Sequence, residues 1–128
     1  RCGWFDVPLL KYTADINGFD SLVITKLDVL DGLKRIPVCV RYKLGTRELT
    51  EMPASVEELS AVEPVYEYLP GWAENTEGIA DFDKLPAAAR DYLLFLERHT
   101  GVEAGCISTG PERTQTIIRE GSVLARLV

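Results

Sequence analysis

Apolar residues after Asp6 and Pro8 recur at three- and four-residue steps, with Leu9, Leu10, Thr13, Ala14 and Ile16 in one stripe and Asn17-Gly18 supplying a left-handed stop. A helix is predicted there. The pattern then changes to the continuous apolar run "SLVITKL", as in a strand buried on both faces. "DVLDGLK" allows one short turn of helix before a second strand, "IPVCVRYKL". Gly45-Thr46 reads as a hairpin tip with "RELTEM" returning beside "VRYKL", and Ser55 with Glu58 reads as a capping box for a short helix. "EPVYEYLPGW" alternates as a strand through Val65, Tyr66 and Tyr68, and Pro70-Gly71 ends it before a polar loop from Glu74 to Asp83. Pro86 opens the longest helix, with Ala89, Tyr92, Leu93 and Leu96 on its buried face and Thr100-Gly101 at its close. "AGCISTGPERTQTIIR" then predicts a short strand, a turn at Ser108 to Pro111 and a last strand. Helices alternating with strands predict the α/β class, a mixed sheet with flanking helices. There is no internal repeat, low-complexity run or linker, and the tail "EGSVLARLV" carries no pattern.

Composition narrows this picture. With 46% hydrophobic and 27% charged residues over 128 positions, the chain matches one ordinary domain or part of one. A net charge of -6 without a basic stripe argues against nucleic acid as a partner. No run of about 18 apolar residues predicts a membrane span, and no signal-peptide pattern opens the chain, so a cytoplasmic protein with no membrane partner is expected. Cys2, Cys39 and Cys106 are odd in number and widely spaced, which predicts reduced thiols. No CxxC pair occurs, and the sole histidine, His99, sits where a helix ends, a capping position; no metal site is expected in the chain. The opening "RCGWFD", with no initiator methionine, reads as a piece of something longer.

Two turns carry candidate chemistry. In "TKLD" a buried strand ends in Lys26 and Asp28. A carboxylate placed there can accept from guanine N1–H and from its 2-amino group, neither of which adenine offers. Lys26, two residues before Asp28, points to the same side of the extended chain, so its stem can lie across the base while Leu27 faces the core. The alternative is a solvated strand end with Asp28 capping the next helix. The second turn, Ser108, Thr109, Gly110 and Pro111, also follows an apolar strand, and Gly110 would let backbone approach a ligand closely. Its plainer reading is a tight turn. Strand ends of an α/β sheet are where ligands usually bind, so the pair weighs more than either turn alone. "LPGW" reads as core packing, with Trp72 N–H satisfied by a carbonyl, and Tyr66, Tyr68 and Tyr92 read as core or rim.

In this order "RCGWFD", "TKLDVLDGL", "EPVYEYLPGW" and "STGPERTQTI" resemble the C-terminal part of adenylosuccinate synthetase, from Arg1 to about Arg119. The resemblance implies residues 1–128 of a larger GTP-binding α/β enzyme fold: the guanine-base-binding part, without the catalytic N-terminal part. It implies a ligase that uses GTP and magnesium to join IMP to L-aspartate, forming adenylosuccinate for AMP synthesis, and working as a homodimer. It further implies that Lys26, Leu27 and Asp28 contact guanine and that Ser108, Thr109, Gly110 and Pro111 line its other side. Thr25 stands where G proteins carry Asn, a change that fits the synthetase, and Glu112 stands where Asp is commoner in the family. In that family the IMP 6-oxygen is phosphorylated with the help of an N-terminal carboxylate base, a histidine acid and a glycine-rich phosphate loop. None is recognisable here, so no catalytic residue or magnesium ligand is assigned, and Arg1 receives no contact. The isolated chain is expected to be inactive. Two other classes stay open: a stand-alone guanine-nucleotide-binding regulatory module, and a structural domain using "LPGW" and the long helix as an interface.

Overall fold

The computed structural model describes residues 2–128. Strand β1 (Phe5–Asp6) runs into helix α1 (Val7–Asn17); β2 (Ser21–Ile24) and a 3-10 turn (Leu27–Leu30) follow. Strands β3 (Arg35–Leu44) and β4 (Arg47–Leu49), helix α2 (Val56–Ala61) and strand β5 (Glu63–Pro70) come next. After a 3-10 turn at Phe82–Lys84, helix α3 (Ala87–Thr100) leads to β6 (Glu103–Ser108) and β7 (Thr116–Ile118), and a last 3-10 turn spans Leu124–Arg126. No helix among the described residues is long and apolar enough to cross a membrane.

The class is mixed α/β, with the strands divided between two sheets. In the first, β3 is central: β1 pairs with it in parallel, β4 and β5 antiparallel. In the second, β6 is central, parallel to β2 and antiparallel to β7. Helix α3 joins them, because its buried Ala89, Tyr92, Leu93, Phe95 and Leu96 share one core with Ile36 and Val38 of β3, Ile107 of β6 and Ile117 of β7. Burying that stripe is the main favourable term for both sheets at once.

Local chemistry sets the ends of the elements. Asp6 caps α1 by accepting from the Leu9 N–H at 3.0 Å, and the same carboxylate takes the Tyr42 hydroxyl at 2.7 Å, tying helix to sheet. Gly18 closes the helix at φ 66°. The buried stripe of α1 differs from the sequence prediction: Val7, Pro8 and Ala14 are buried, whereas Leu9 and Ile16 are exposed, because β3 and α3 cover only one side of the helix. Ser55 accepts from the Glu58 N–H at 3.2 Å, so the serine half of the capping box is present.

His99 ends α3 as expected, with Nδ1 2.9 Å from the Phe95 carbonyl and its ring stacked on Phe95. Glu97, one turn from the end, pairs with Arg119 and accepts from the Ala104 N–H at 2.8 Å, fastening α3 to β6. All three cysteines are free thiols; Cys39 and Cys106 are buried and Cys2 is exposed. Burial pushes both buried thiols above their ordinary value of 9.0, further from the reactive thiolate. Native alkylation of the full-length protein at neutral pH is therefore expected to spare Cys39 and Cys106, with both labelled after denaturation. Peptide mass spectrometry reads this directly, and native labelling of either buried thiol would refute it.

Candidate functional site

The parallel register of β2 and β6 pairs Ile24 with Ile107, so the residues that follow, Thr25 and Ser108, leave the same end of two neighbouring strands. Sequence positions more than eighty residues apart thereby come together. This carboxyl end of a parallel strand pair is the usual ligand edge of an α/β sheet.

The first turn is not an extended continuation of β2. The strand stops at Ile24; Lys26 adopts φ 59° and ψ 43°, the sole left-handed non-glycine conformation among the described residues; and Leu27–Leu30 winds into a 3-10 turn. The two-residue alternation that would put Lys26 and Asp28 on one side of an extended strand therefore does not apply. A lysine held left-handed costs energy and is the kind of local strain that gathers at functional sites. Leu27 is 1% exposed and joins the core as predicted, anchoring the turn, while Lys26 is exposed and Asp28 half-buried.

Asp28 does not cap a helix. It lies inside the 3-10 turn, and its Oδ1 is buried without any hydrogen-bond partner. A buried carboxylate oxygen left without a donor is costly. Asp31, three residues on, is the opposite case. Its Oδ1 accepts from Trp72 Nε1–H at 2.5 Å and from the Thr76 hydroxyl at 2.7 Å, and its Oδ2 accepts from the Thr76 N–H at 2.7 Å. Trp72 is buried as expected, but its N–H finds this carboxylate instead of a carbonyl.

The second turn is internally tied. Ser108 Oγ donates to the Gly110 carbonyl at 2.9 Å, and the fully buried Thr109 donates its hydroxyl to the Ile79 carbonyl at 2.8 Å. Gln115 folds back across the loop, Oε1 accepting from the Glu112 N–H at 2.9 Å. A Cβ at Gly110 would stand 2.3 Å from that Oε1, so the close approach at Gly110 is made by Gln115 of the same loop. Ser108 and Gly110 are half-buried and Pro111 is exposed.

A groove of 620 Å³ lies against the first turn, lined by Trp4, Phe5, Thr25, Lys26, Val29 and Tyr92 among others, but not by Asp28 or residues 108–111. Among the described residues no cluster of three or more histidine, cysteine, aspartate or glutamate side chains stands ready to hold a metal ion. Asp31, Thr76 and Gln115 escaped sequence reasoning. The only signal for Asp31 was its repeat of Asp28 at a three-residue step in "DVLD", and nothing marked Thr76 or Gln115.

Fold and site together define an α/β protein in which two turns leave the carboxyl end of a parallel strand pair, one holding an unpaired buried carboxylate oxygen and the other being a hydroxyl-glycine turn. Comparison with known proteins narrows this to a family. Residues 1–117 match the family Adenylosuccinate synthetase, and the chain belongs to it. It is 64% identical to the adenylosuccinate synthetase of Solibacter usitatus (strain Ellin6076) over 128 residues, all of this chain and 30% of that protein. It is 49% identical to that of Mycobacterium tuberculosis (strain H37Rv) over 119 residues, 93% of this chain and 28% of that protein. The structure of fully ligated adenylosuccinate synthetase from Plasmodium falciparum superposes with a TM-score of 0.87 at 40% identity, covering 94% of this chain and 29% of that one. The chain thus spans about 30% of the length of the curated relatives it matches.

Proposed function

We propose that this chain is the C-terminal, guanine-reading portion of a GTP-dependent ligase that joins IMP and L-aspartate to form adenylosuccinate, in the cytoplasm and as a homodimer. The observation that carries the guanine reading is the buried, unpartnered Oδ1 of Asp28 in a turn that leaves the same end of the β2–β6 pair as Ser108 does. Guanine brings two adjacent donors, N1–H and the 2-amino group, and an ionised carboxylate is acceptor-only, so the base supplies what the side chain lacks. Lys26 and Leu27 complete this side of the base, Lys26 by its exposed stem and Leu27 by anchoring the turn in the core. Ser108, Gly110 and Pro111 line the other side, and Thr109 is the buried anchor that holds them there.

Magnesium and the GTP phosphates would be handled by residues outside this chain. Magnesium shields phosphate charge during phosphoryl transfer; the part assigned to residues 1–128 is to select the base and hold it still.

The full-length protein carrying this chain is expected to form adenylosuccinate from GTP, IMP, L-aspartate and Mg2+, and the 128-residue chain alone to form none. With ATP in place of GTP, the rate is expected to fall at least about a hundredfold, because the carboxylate then meets no donor pair. Turnover by the isolated chain, or comparable use of ATP, would overturn the proposal.

A further inference from the structure

Asp31 stands outside every role assigned so far, yet it makes three hydrogen bonds of 2.7 Å or less to a single segment, Trp72 to Thr76. The backbone adds a fourth tie, Gly32 N–H to the Trp72 carbonyl at 2.9 Å. The far end of the same segment reaches the other turn: Thr109 donates its hydroxyl to the Ile79 carbonyl at 2.8 Å, and Gly78 N–H donates to the Thr109 carbonyl at 3.4 Å. Residues 72–79 therefore run as a strap from the first strand-end turn to the second. Asp31 also closes the 3-10 turn that holds Asp28, its N–H donating to the Asp28 carbonyl at 3.1 Å. Side chains linked in one such network move together, and a carboxylate that reads a base must be held within a fraction of an ångström.

We propose that Asp31 is a positioning residue for base selection: by gripping Trp72 and Thr76 it locks the 72–79 strap across both turns and fixes the Asp28 carboxylate opposite Ser108–Pro111. The proposal rests on the reading of Asp28 as the guanine acceptor. Replacing Asp31 by Asn isolates the effect, since the Asn oxygen can still accept from Trp72 and the Thr76 hydroxyl. Its NH2, however, meets the Thr76 N–H donor against donor, so the strap loosens without the loss of bulk.

The test uses the full-length enzyme, with GTP compared with ITP, whose base keeps N1–H but lacks the 2-amino group. A displaced carboxylate loses two bonds to guanine and one to hypoxanthine. Asp31→Asn is therefore expected to raise KM for GTP about fivefold and KM for ITP less than about twofold, leaving KM for IMP and aspartate and kcat within about twofold. Amide exchange in residues 105–118 is expected to quicken, because the strap's far end sits on Thr109. Thr76→Val, which removes only the hydroxyl donor, is expected to shift selectivity the same way by less, and it serves if Asp31→Asn folds poorly. Asp28→Asn is the reference arm. If it erases GTP-over-ITP selectivity while the Asp31 and Thr76 variants leave the ratio unchanged, the strap is merely structural and the proposal fails alone. If Asp28→Asn itself leaves selectivity intact, the guanine reading falls and takes the proposal with it. A uniform fall in kcat with an unchanged KM ratio also overturns the positioning role.

Discussion

Asp28→Asn in the full-length enzyme is expected to raise KM for GTP at least about tenfold and to make XTP the better phosphoryl donor, with the constants for IMP and aspartate little changed. The expectation follows from counting donors and acceptors. The Oδ1 of Asp28 is buried with nothing donating to it, so a bound base restores a missing bond instead of competing for an existing one. An Asn keeps one acceptor and turns the other into an NH2 donor, which faces a guanine donor. Breaking a buried, charge-assisted pair in this way costs on the order of 2 to 5 kcal/mol. Xanthine carries a carbonyl at position 2, so it accepts from the Asn NH2 while its N1–H meets the Asn oxygen. The variant should therefore switch base preference and not only weaken binding. Steady-state kinetics with GTP and XTP decide the matter: unchanged use of GTP, or a shift confined to IMP, would remove Asp28 from the base site.

Much of this geometry was legible in the chain, and what was not has a physical cause. The apolar runs at Leu22–Ile24 and Ala104–Ile107 announced strands, but burial on both faces holds only for β6. In β2 Leu22 alone is buried and Val23 is 58% exposed, one face of that strand being left uncovered. The turns after them stood out by their residue types at strand ends. The parallel pairing that brings them together is a contact between Ile24 and Ile107, which no local pattern encodes. The conformation of Lys26 was hidden because lysine gives no warning of a left-handed backbone; Leu27 drawn into the core and the 3-10 turn behind it impose the conformation. The second sheet was missed because helix α3, with apolar residues on an ordinary amphipathic stripe, gives no sign that it covers strands of two sheets. Asp31 was overlooked because Trp72 and Thr76, which give it meaning, lie more than forty residues away. Long-range hydrogen bonds of polar side chains are least visible to sequence reasoning, and here they tie residues 72–79 to both turns.

Gly71→Ala is expected to destabilise the full-length protein by about 3 kcal/mol or more, an effect out of proportion to one added methyl. Gly71 ends β5 where two backbone segments touch: a Cβ there would lie 1.7 Å from the Leu33 carbonyl oxygen and 2.7 Å from the Leu33 carbonyl carbon. Those are backbone atoms, so no side-chain rotation can relieve the overlap and the two segments must separate. Separation strains the Gly71 N–H bond to the Lys34 carbonyl, 3.0 Å, and the Gly32 N–H bond to the Trp72 carbonyl, 2.9 Å, each worth about 1 kcal/mol in net stability. It also moves Trp72, whose ring packs 6.1 Å from Tyr92 and whose N–H lies on Asp31, so the cost spreads into the core and the strap together. The glycine of "LPGW" is thus required by a close approach, with no need of an unusual φ. Chemical denaturation of the variant beside Gly3→Ala tests this, since a Cβ at Gly3 meets nothing within 4 Å and should change stability little. A loss below about 1 kcal/mol at Gly71 would mean that the two segments part easily. The contact at Leu33 would then not be what holds Trp72 against Asp31.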